Sequence, residues 1–383
     1  MPPEKSSPSH SHSSYCPDID GLRTIAITAV VIFHAFPLFM PGGFVGVDVF
    51  FVISGYLISG IIIKQAQKNK FSYADFYSRR VKRIYPALLL VLFFVLGLAI
   101  RVYEKRETIV AAKTMAASTL FGANIEILTY EKGYFDPDVK QNPLLHLWSL
   151  GVEEQFYIVW PCFITFLFTR ARSSTGLLLG FFSLSSFVFG VFMVYWNTKF
   201  AFYFPVCRFW QMSIGGLIIH QGRQIESQLI RSAMSIVGTL SILIIVWVID
   251  EKSLFPGWWA LVPTLGSACI LQAGPEALVN KYILSSEVFV FIGKISYPLY
   301  LWHWPLLVFS RYMYPEGSDS IFANTYFVLF ACLVLSTLTY FFVENKIRFR
   351  KERIVVFGLL FLMATVGISC LFIINQQSEQ ERR

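Results

Sequence analysis

"RTIAITAVVIFH", residues 23–34, opens on a guanidinium and closes on an imidazole, and two threonines apart everything between them is apolar. On an α-helix eleven residues advance about 1100°, three turns plus roughly 20°, so Arg23 and His34 share one stripe about 16 Å apart. Asp20, fourteen residues before His34, is offset by only about 40° and extends the stripe towards the start of the helix. Ionisable side chains within a membrane span are costly and face a bundle interior or a watery cavity. His34 therefore has two readings. It is a buried hydrogen-bonding staple between helices, or a proton acceptor in a cavity, because an unperturbed imidazole titrates near neutral pH.

The rest of the chain places this stretch in a bilayer. Its 383 residues are 55% hydrophobic and 15% charged, with a mean hydropathy of +0.57, too apolar for a water-soluble chain of this length. Windows of about 20 mostly apolar residues, enough to cross roughly 30 Å of hydrocarbon, recur along it. They predict spans near 23–40, 45–63, 84–102, 144–168, 175–196, 208–221, 232–249, 257–273, 287–310, 322–343 and 354–375. The predicted fold class is an all-α polytopic membrane protein with eleven spans.

Lys and Arg locate the cytoplasm. With the amino terminus inside, the clusters Lys64 to Arg83 and Lys346 to Arg353 are cytoplasmic, and about 20 of the 32 cations fall on that side. Eleven spans then leave the carboxyl terminus outside. Most outside cations lie in a long 101–143 loop, beside Glu104, Glu107, Glu131, Asp136 and Asp138. The net charge of +8 fits inward loops beside anionic lipid and calls for no nucleic acid. The first residues, with His10 and His12, are polar and read as a disordered cytoplasmic tail rather than a signal peptide. Six scattered cysteines show no CxxC spacing, so neither a disulfide framework nor a metal site is predicted. The chain also shows no internal repeat, nucleotide loop or GxSxG elbow.

Four more segments put polar groups inside apolar surroundings. In "GGFVGVDVFFVISGYLISG" (42–60), Gly46, Gly55 and Gly60 permit close helix approach. Asp48 needs a partner, either a histidine that it orients or a structural ion pair. In "FYSRRVKRIYPALLL" (76–90), Arg79, Arg80, Lys82 and Arg83 beside Tyr77 and Tyr85 suit a topology signal or a phosphorylated cofactor, since guanidinium forks match phosphate oxygens. In "NPLLHLWSLGVEEQFYIVWP" (142–161), Asn142 and Pro143 suit a helix start. There His146, Glu153 and Tyr157 fall on one face while Glu154 points about 100° away; Trp148 and Trp160 read as interfacial anchors. Finally "KISYPLYLWHWPLLVF" (294–309) packs two prolines, two tyrosines, two tryptophans and His303 into one span. It should be kinked and line protein or a cavity. Trp302 and Trp304 read there as belt residues.

Taken together and in this order, with "DIDGLRTIAITAVVIFHAF" and "FFVENKIR", these segments resemble the acyltransferase-3 family of membrane-bound O-acyltransferases, over residues 18 to about 350. More narrowly they resemble its bacterial surface-polysaccharide branch. The resemblance implies a ten-helix core, acetyl-CoA as cytoplasmic donor, and as acceptor a hydroxyl of a surface glycan or lipid-linked glycan such as lipopolysaccharide O-antigen, in the bacterial inner membrane. Arg23 and His34 match the family's arginine–ten residues–histidine motif, and Arg80 and Arg83 its RxxR motif. His34 is then the candidate base, oriented by Asp48 or Glu153. Arg23, Arg79, Arg80, Lys82 and Arg83 would hold the donor, and His146, Tyr297 and His303 are substrate or oxyanion candidates. Residues 1–17 form the tail, 18–350 the acyltransferase domain, and 351–383 an added helix with a short outer tail. In the closest branch such a helix leads to an extracytoplasmic SGNH-type domain, so that domain or an equivalent partner is expected. The alternative from another class is a transporter or flippase of an acyl donor or lipid-linked sugar, with the polar stripe as its path.

Overall fold

The computed structural model describes residues 15–222, 225–315, 317–350 and 352–382. His10 and His12, with most of the expected tail, lie outside the described residues. The described chain is helical and contains no strand: α1 (Pro17–Ala35), α2 (Gly46–Gln67), α3 (Tyr73–Val102), α4 (Lys105–Thr119), α5 (Ala123–Leu128), α6 (Leu147–Arg170), α7 (Thr175–Trp196), α8 (Thr198–Tyr203), α9 (Phe209–Gln221), α10 (Gln228–Val248), α11 (Leu261–Ala273), α12 (Glu287–Lys294), α13 (Ser296–Met313), α14 (Thr325–Leu338), α15 (Asn345–Arg348) and α16 (Arg353–Arg382).

Each of the eleven predicted apolar stretches carries helix over most of its length, and among the described residues six helices are long and apolar enough to cross a membrane: Gly43–Gln67, Tyr73–Val102, Arg172–Trp196, Gln228–Val248, Thr325–Arg348 and Arg353–Gln377. Apolar side chains such as Leu177, Phe181 and Phe192 on α7, or Ile354, Phe361 and Leu371 on α16, stay exposed on the protein surface, as a lipid-facing wall requires. This is a multi-pass membrane protein. The helices bearing the ionisable stripe, α1, α6 and α13, sit inside that wall: α1 and α6 pack on α2, α13 packs on α1, and α9 packs on α2. At the α2–α9 crossing a Cβ on Gly55 would collide with the backbone of Met212, so close approach is built on glycine there.

Several boundaries differ from those expected; α3, for one, starts at Tyr73 rather than near 84, with Ser72 capping its first turn. α1 begins at Pro17, not near 23, because Pro17 takes the first helical turn and Asp18 and Asp20 complement its N-terminal dipole. The 101–143 loop is not a plain loop. α4 runs back along α3 from the Val102 end, and at its foot Phe121 meets the Tyr85 ring at 5.6 Å, about 25 Å down α3 from Val102 at 1.5 Å per residue. α4 and α5 thus form a re-entrant hairpin, invisible to hydropathy because its buried face is built from Ala, Thr and Met. α6 starts at Leu147 rather than after Asn142; the Asn142 side chain instead accepts from Leu144 N at 2.9 Å and stabilises the preceding turn. The ninth span is broken at Ile295, between α12 and α13.

α16 packs on α3 and α4. It buries Leu359, Met363, Val366 and Cys370 in one cluster with Leu88, Val95, Ala112 and Met115.

Candidate functional site

His34 is the last polar residue of α1, and Arg311 of α13 secures that helix end by donating to the His34 carbonyl at 2.7 Å. Its ring is buried, and both nitrogens are used: Nδ1 lies 2.9 Å from His303 Nε2 and Nε2 lies 2.8 Å from the Tyr134 hydroxyl. The tautomers follow from acceptor-only partners. His303 Nδ1 faces two backbone carbonyls, Tyr300 O at 2.7 Å and Leu299 O at 3.1 Å, and must carry the proton. His303 Nε2 is therefore a lone pair that accepts from His34 Nδ1–H. His34 Nε2 is left as the basic lone pair, accepting from Tyr134. Trp304, 4.5 Å from the His34 ring, is held by its own N–H on Asn142 O at 2.8 Å.

Two cavities flank this cluster. At the His34 end a cavity of about 790 Å³ is lined by His34, Tyr134, Trp304, Arg311, Tyr314 and the Lys140–Glu251 ion pair, whose charged atoms are 2.6 Å apart. At the Arg23 end a second cavity of about 90 Å³ is lined by Arg23, Arg80 and Arg83, by Glu153, Glu154 and Tyr157, and by Tyr297 and Tyr300. Arg23 also pairs with Asp20 at 3.3 Å. Arg80 lies 4.3 Å over the Tyr157 ring, a cation–π contact, while Glu153 accepts from the hydroxyls of Tyr157 and Ser54. Three guanidinium groups against two carboxyls make this cavity fit for an anionic ligand.

Between the cavities stand Ser149, Tyr300 and His146. The Tyr300 hydroxyl lies 2.7 Å from Ser149 Oγ and donates to the His146 carbonyl at 2.6 Å. His146 is 1% exposed, and neither ring nitrogen makes a well-formed hydrogen bond among the described residues, although the Leu301 backbone carbonyl approaches the ring. An unmet buried polar group costs about 1–3 kcal/mol.

Several candidates fall elsewhere than the sequence suggested. Asp48 does not orient His34. It is paired with Arg208 at 2.9 Å, with both side chains 1% exposed, and accepts from Gln211. Glu153 lies in the arginine cavity, so the role expected of either carboxylate belongs to His303. Of the cation cluster, Arg80 and Arg83 line the cavity; Arg79 is exposed, and Lys82 turns away to donate to Arg350 O at 2.8 Å. Spacing alone does not make this split, because Arg79 and Lys82 are also three apart and Arg83 lies between Arg79 and Arg80 around the helix; the packing of α3 against its neighbours decides which cations face the cavity. Tyr297 lines the arginine cavity, but its hydroxyl is committed to Ile84 O at 2.9 Å. Trp148, Trp160, Trp302 and Trp304 are buried and are not interfacial: Trp160 donates to Ser59 Oγ at 2.7 Å and Trp302 to Thr339 Oγ1 at 3.0 Å.

Sequence reasoning missed Tyr134, Tyr300 and Arg208. Arg208 carried a signal, a lone cation at the head of an apolar stretch. Tyr134, in the aperiodic "EKGYFDPD" (131–138), carried none.

The acyltransferase domain family matches residues 17–373. Relatives include "Putative O-acetyltransferase SACOL0978" of Staphylococcus aureus (strain COL), 30% identical over 357 residues, covering 89% of this chain and 58% of the relative. O-acetyltransferase OatA of Staphylococcus aureus (strain NCTC 8325 / PS 47) is 30% identical over 352 residues, covering 87% of this chain and 57% of the relative. The chain thus spans less than two thirds of the length of these relatives. No solved structure matches it. By the extent of the family match, with the arginine and histidine motifs placed on facing cavities, the chain belongs to the acyltransferase-3 family.

Proposed function

We propose that this protein transfers an acetyl group from acetyl-CoA, entering at the arginine cavity, to a hydroxyl of a surface glycan or lipid-linked glycan lodged in the histidine cavity. The observation that carries the reading is the His34 tautomer. His303 holds Nδ1–H, which leaves Nε2 as a lone pair facing a hydroxyl, the arrangement a general base needs. Tyr134 occupies that position here, and an acceptor hydroxyl would take its place. Arg23, Arg80 and Arg83 supply charge-assisted hydrogen bonds suited to the donor's phosphates. The cation clusters at the Arg23 end support a cytoplasmic donor side, with the histidine cavity facing the periplasm of a bacterial inner membrane. The named activity of the relatives supports O-acetylation; the acceptor, lipopolysaccharide O-antigen among the candidates, and an SGNH-type domain as further chain or partner belong to the same proposal.

His34 Nε2 takes the proton of the acceptor hydroxyl as its oxygen adds to the thioester carbon. The test is release of free CoA from labelled acetyl-CoA by the purified protein with and without a glycan acceptor. Acceptor-dependent release should fall about 10²- to 10⁴-fold in His34→Ala while donor binding persists. Donor carried across a vesicle membrane unconsumed replaces the reading with transport, and a folded His34→Ala protein turning over at the parental rate removes the base.

A further inference from the structure

Three imidazoles meet in the wall between the cavities, and they are not treated alike. His34 and His303 have both ring nitrogens engaged, whereas the equally buried His146 makes no well-formed hydrogen bond among the described residues and has only a loose approach from the Leu301 carbonyl. Its ring centroid lies 5.3 Å from that of Tyr300, which faces the arginine cavity, and 5.7 Å from that of His303, which holds the base. Buried polar groups are satisfied in the great majority of cases, so an imidazole this poorly satisfied, set between a donor cavity and a base, calls for a ligand atom. Leu or Phe would fill the same space without that cost. The half-buried Tyr300, held through its hydroxyl by Ser149 and the His146 carbonyl, stands on the donor-cavity side of the ring.

We propose that His146 holds the carbonyl oxygen of the acyl group during transfer, and that Tyr300 is the side chain that moves to admit it. The proposal rests on the acyl-transfer reading above. A thioester carbonyl oxygen is acceptor-only, and a neutral imidazole presents one N–H, so the pairing meets both groups. As the acceptor oxygen adds to the thioester carbon, a C–O bond forms, the hydroxyl proton passes to His34 Nε2, and the carbonyl π pair moves onto the oxygen facing His146. Collapse restores C=O and breaks the C–S bond. The proton on His34 then goes to the departing thiolate, giving CoA-SH and the O-acetyl ester. A donor aimed where charge develops acts on the transition state more than on ground-state binding.

The experiment is steady-state acetyl-CoA consumption by the full chain in lipid vesicles supplied with a glycan acceptor, with the parental protein and His34→Ala alongside. His146→Leu should lower kcat about 10²- to 10³-fold with KM for acetyl-CoA within about threefold. Its thermal midpoint should be no lower than the parental one, since an unmet polar group has been removed. His146→Gln keeps an N–H and should stay within about tenfold of the parental kcat. If His146→Leu does not fold, His146→Phe, which keeps a ring between Tyr300 and His303, is read by the same criteria. A parental chain that consumes no donor takes down the acyl-transfer reading and this proposal with it. An active parent overturns the proposal alone if the apolar variant keeps the parental kcat, if only KM rises, or if His146→Gln folds and is as inactive as His146→Leu.

Discussion

Asp48 offers a direct test of whether a buried carboxylate beside the site acts in chemistry or in architecture. Its Oδ1 lies 2.9 Å from Arg208 Nη1 and both side chains are 1% exposed. The guanidinium also donates from Nε to Phe202 O at 3.2 Å and lies 5.1, 5.2 and 5.7 Å from the rings of Phe255, Phe202 and Trp148. Truncating Asp48 strands that cation among aromatic rings, and breaking such a pair costs about 3–5 kcal/mol. At roughly 2–4 °C of midpoint per kcal/mol, a scale drawn from soluble domains, Asp48→Ala should lower the thermal midpoint in detergent by about 6–20 °C. Replacing both members with apolar groups removes the stranded charge, and such replacements are commonly neutral or stabilising. Asp48→Leu with Arg208→Met should therefore recover most of the loss, giving a coupling energy of several kcal/mol in the cycle closed by the single variants Asp48→Leu and Arg208→Met, and should restore CoA release. The assay is the monodisperse fraction after heating, read beside turnover. A folded Asp48→Ala protein with the parental midpoint and no turnover would refute the reasoning, because the carboxylate would then be required for the reaction and not for the bundle.

Further expectations follow from the same contacts. His303→Leu takes away the acceptor of His34 Nδ1–H, so turnover should fall about 10²- to 10⁴-fold with acetyl-CoA binding by calorimetry unchanged; a loss of binding instead would assign His303 to donor recognition. Arg80→Ala and Arg83→Ala should each weaken donor binding by about 1.5–3 kcal/mol, whereas Arg79→Ala and Lys82→Ala should not; equal losses across all four would point to a diffuse surface field. A carboxyl-terminal phosphatase fusion should be active in the periplasm, and activity confined to the cytoplasm would overturn the eleven-span topology. A chain ending near residue 350 should still release CoA, since lipid tails replace α16 against α3 and α4 without exposing apolar surface to water; loss of monodisperse protein would make α16 part of the core.

The fold was legible where hydropathy alone decides it. Eleven apolar stretches become helices because an unpaired backbone cannot be tolerated in hydrocarbon, and Ser72, Asn197, Ser227 and Asn324 accept helix-start N–H groups as such residues do. The α4–α5 hairpin escaped because it is neither apolar enough for a span nor polar enough for a solvated loop. It turns on hydrogen bonds that no local pattern announces: Gln155 Nε2 donates to Phe121 O at 2.8 Å, and Asn124 Nδ2 to Tyr203 O at 3.2 Å.

The site divides along the same line. Spacing on one helix placed Arg23 and His34 at opposite ends of a stripe, and that is where the two cavities lie. It also put His146, Glu153 and Tyr157 on one face, whereas Arg80 and Arg83 stood out from their cluster only through the family motif. Spacing cannot choose partners between helices. His34 lies 269 residues from His303 and 100 from Tyr134, and Asp48 lies 160 from Arg208, so each pairing is set by how α1, α2, α9 and α13 cross. The sequence left Asp48 either to orient a histidine or to close a structural ion pair, and left Glu153 as the other candidate for orienting His34. The bundle instead spends Asp48 on a buried cation and gives the imidazole a second imidazole. That exchange has a chemical consequence: a neutral His303 fixes the tautomer of His34 without a neighbouring negative charge to raise its basicity, leaving Nε2 able to take a proton and to give it up again to a thiolate in one turnover.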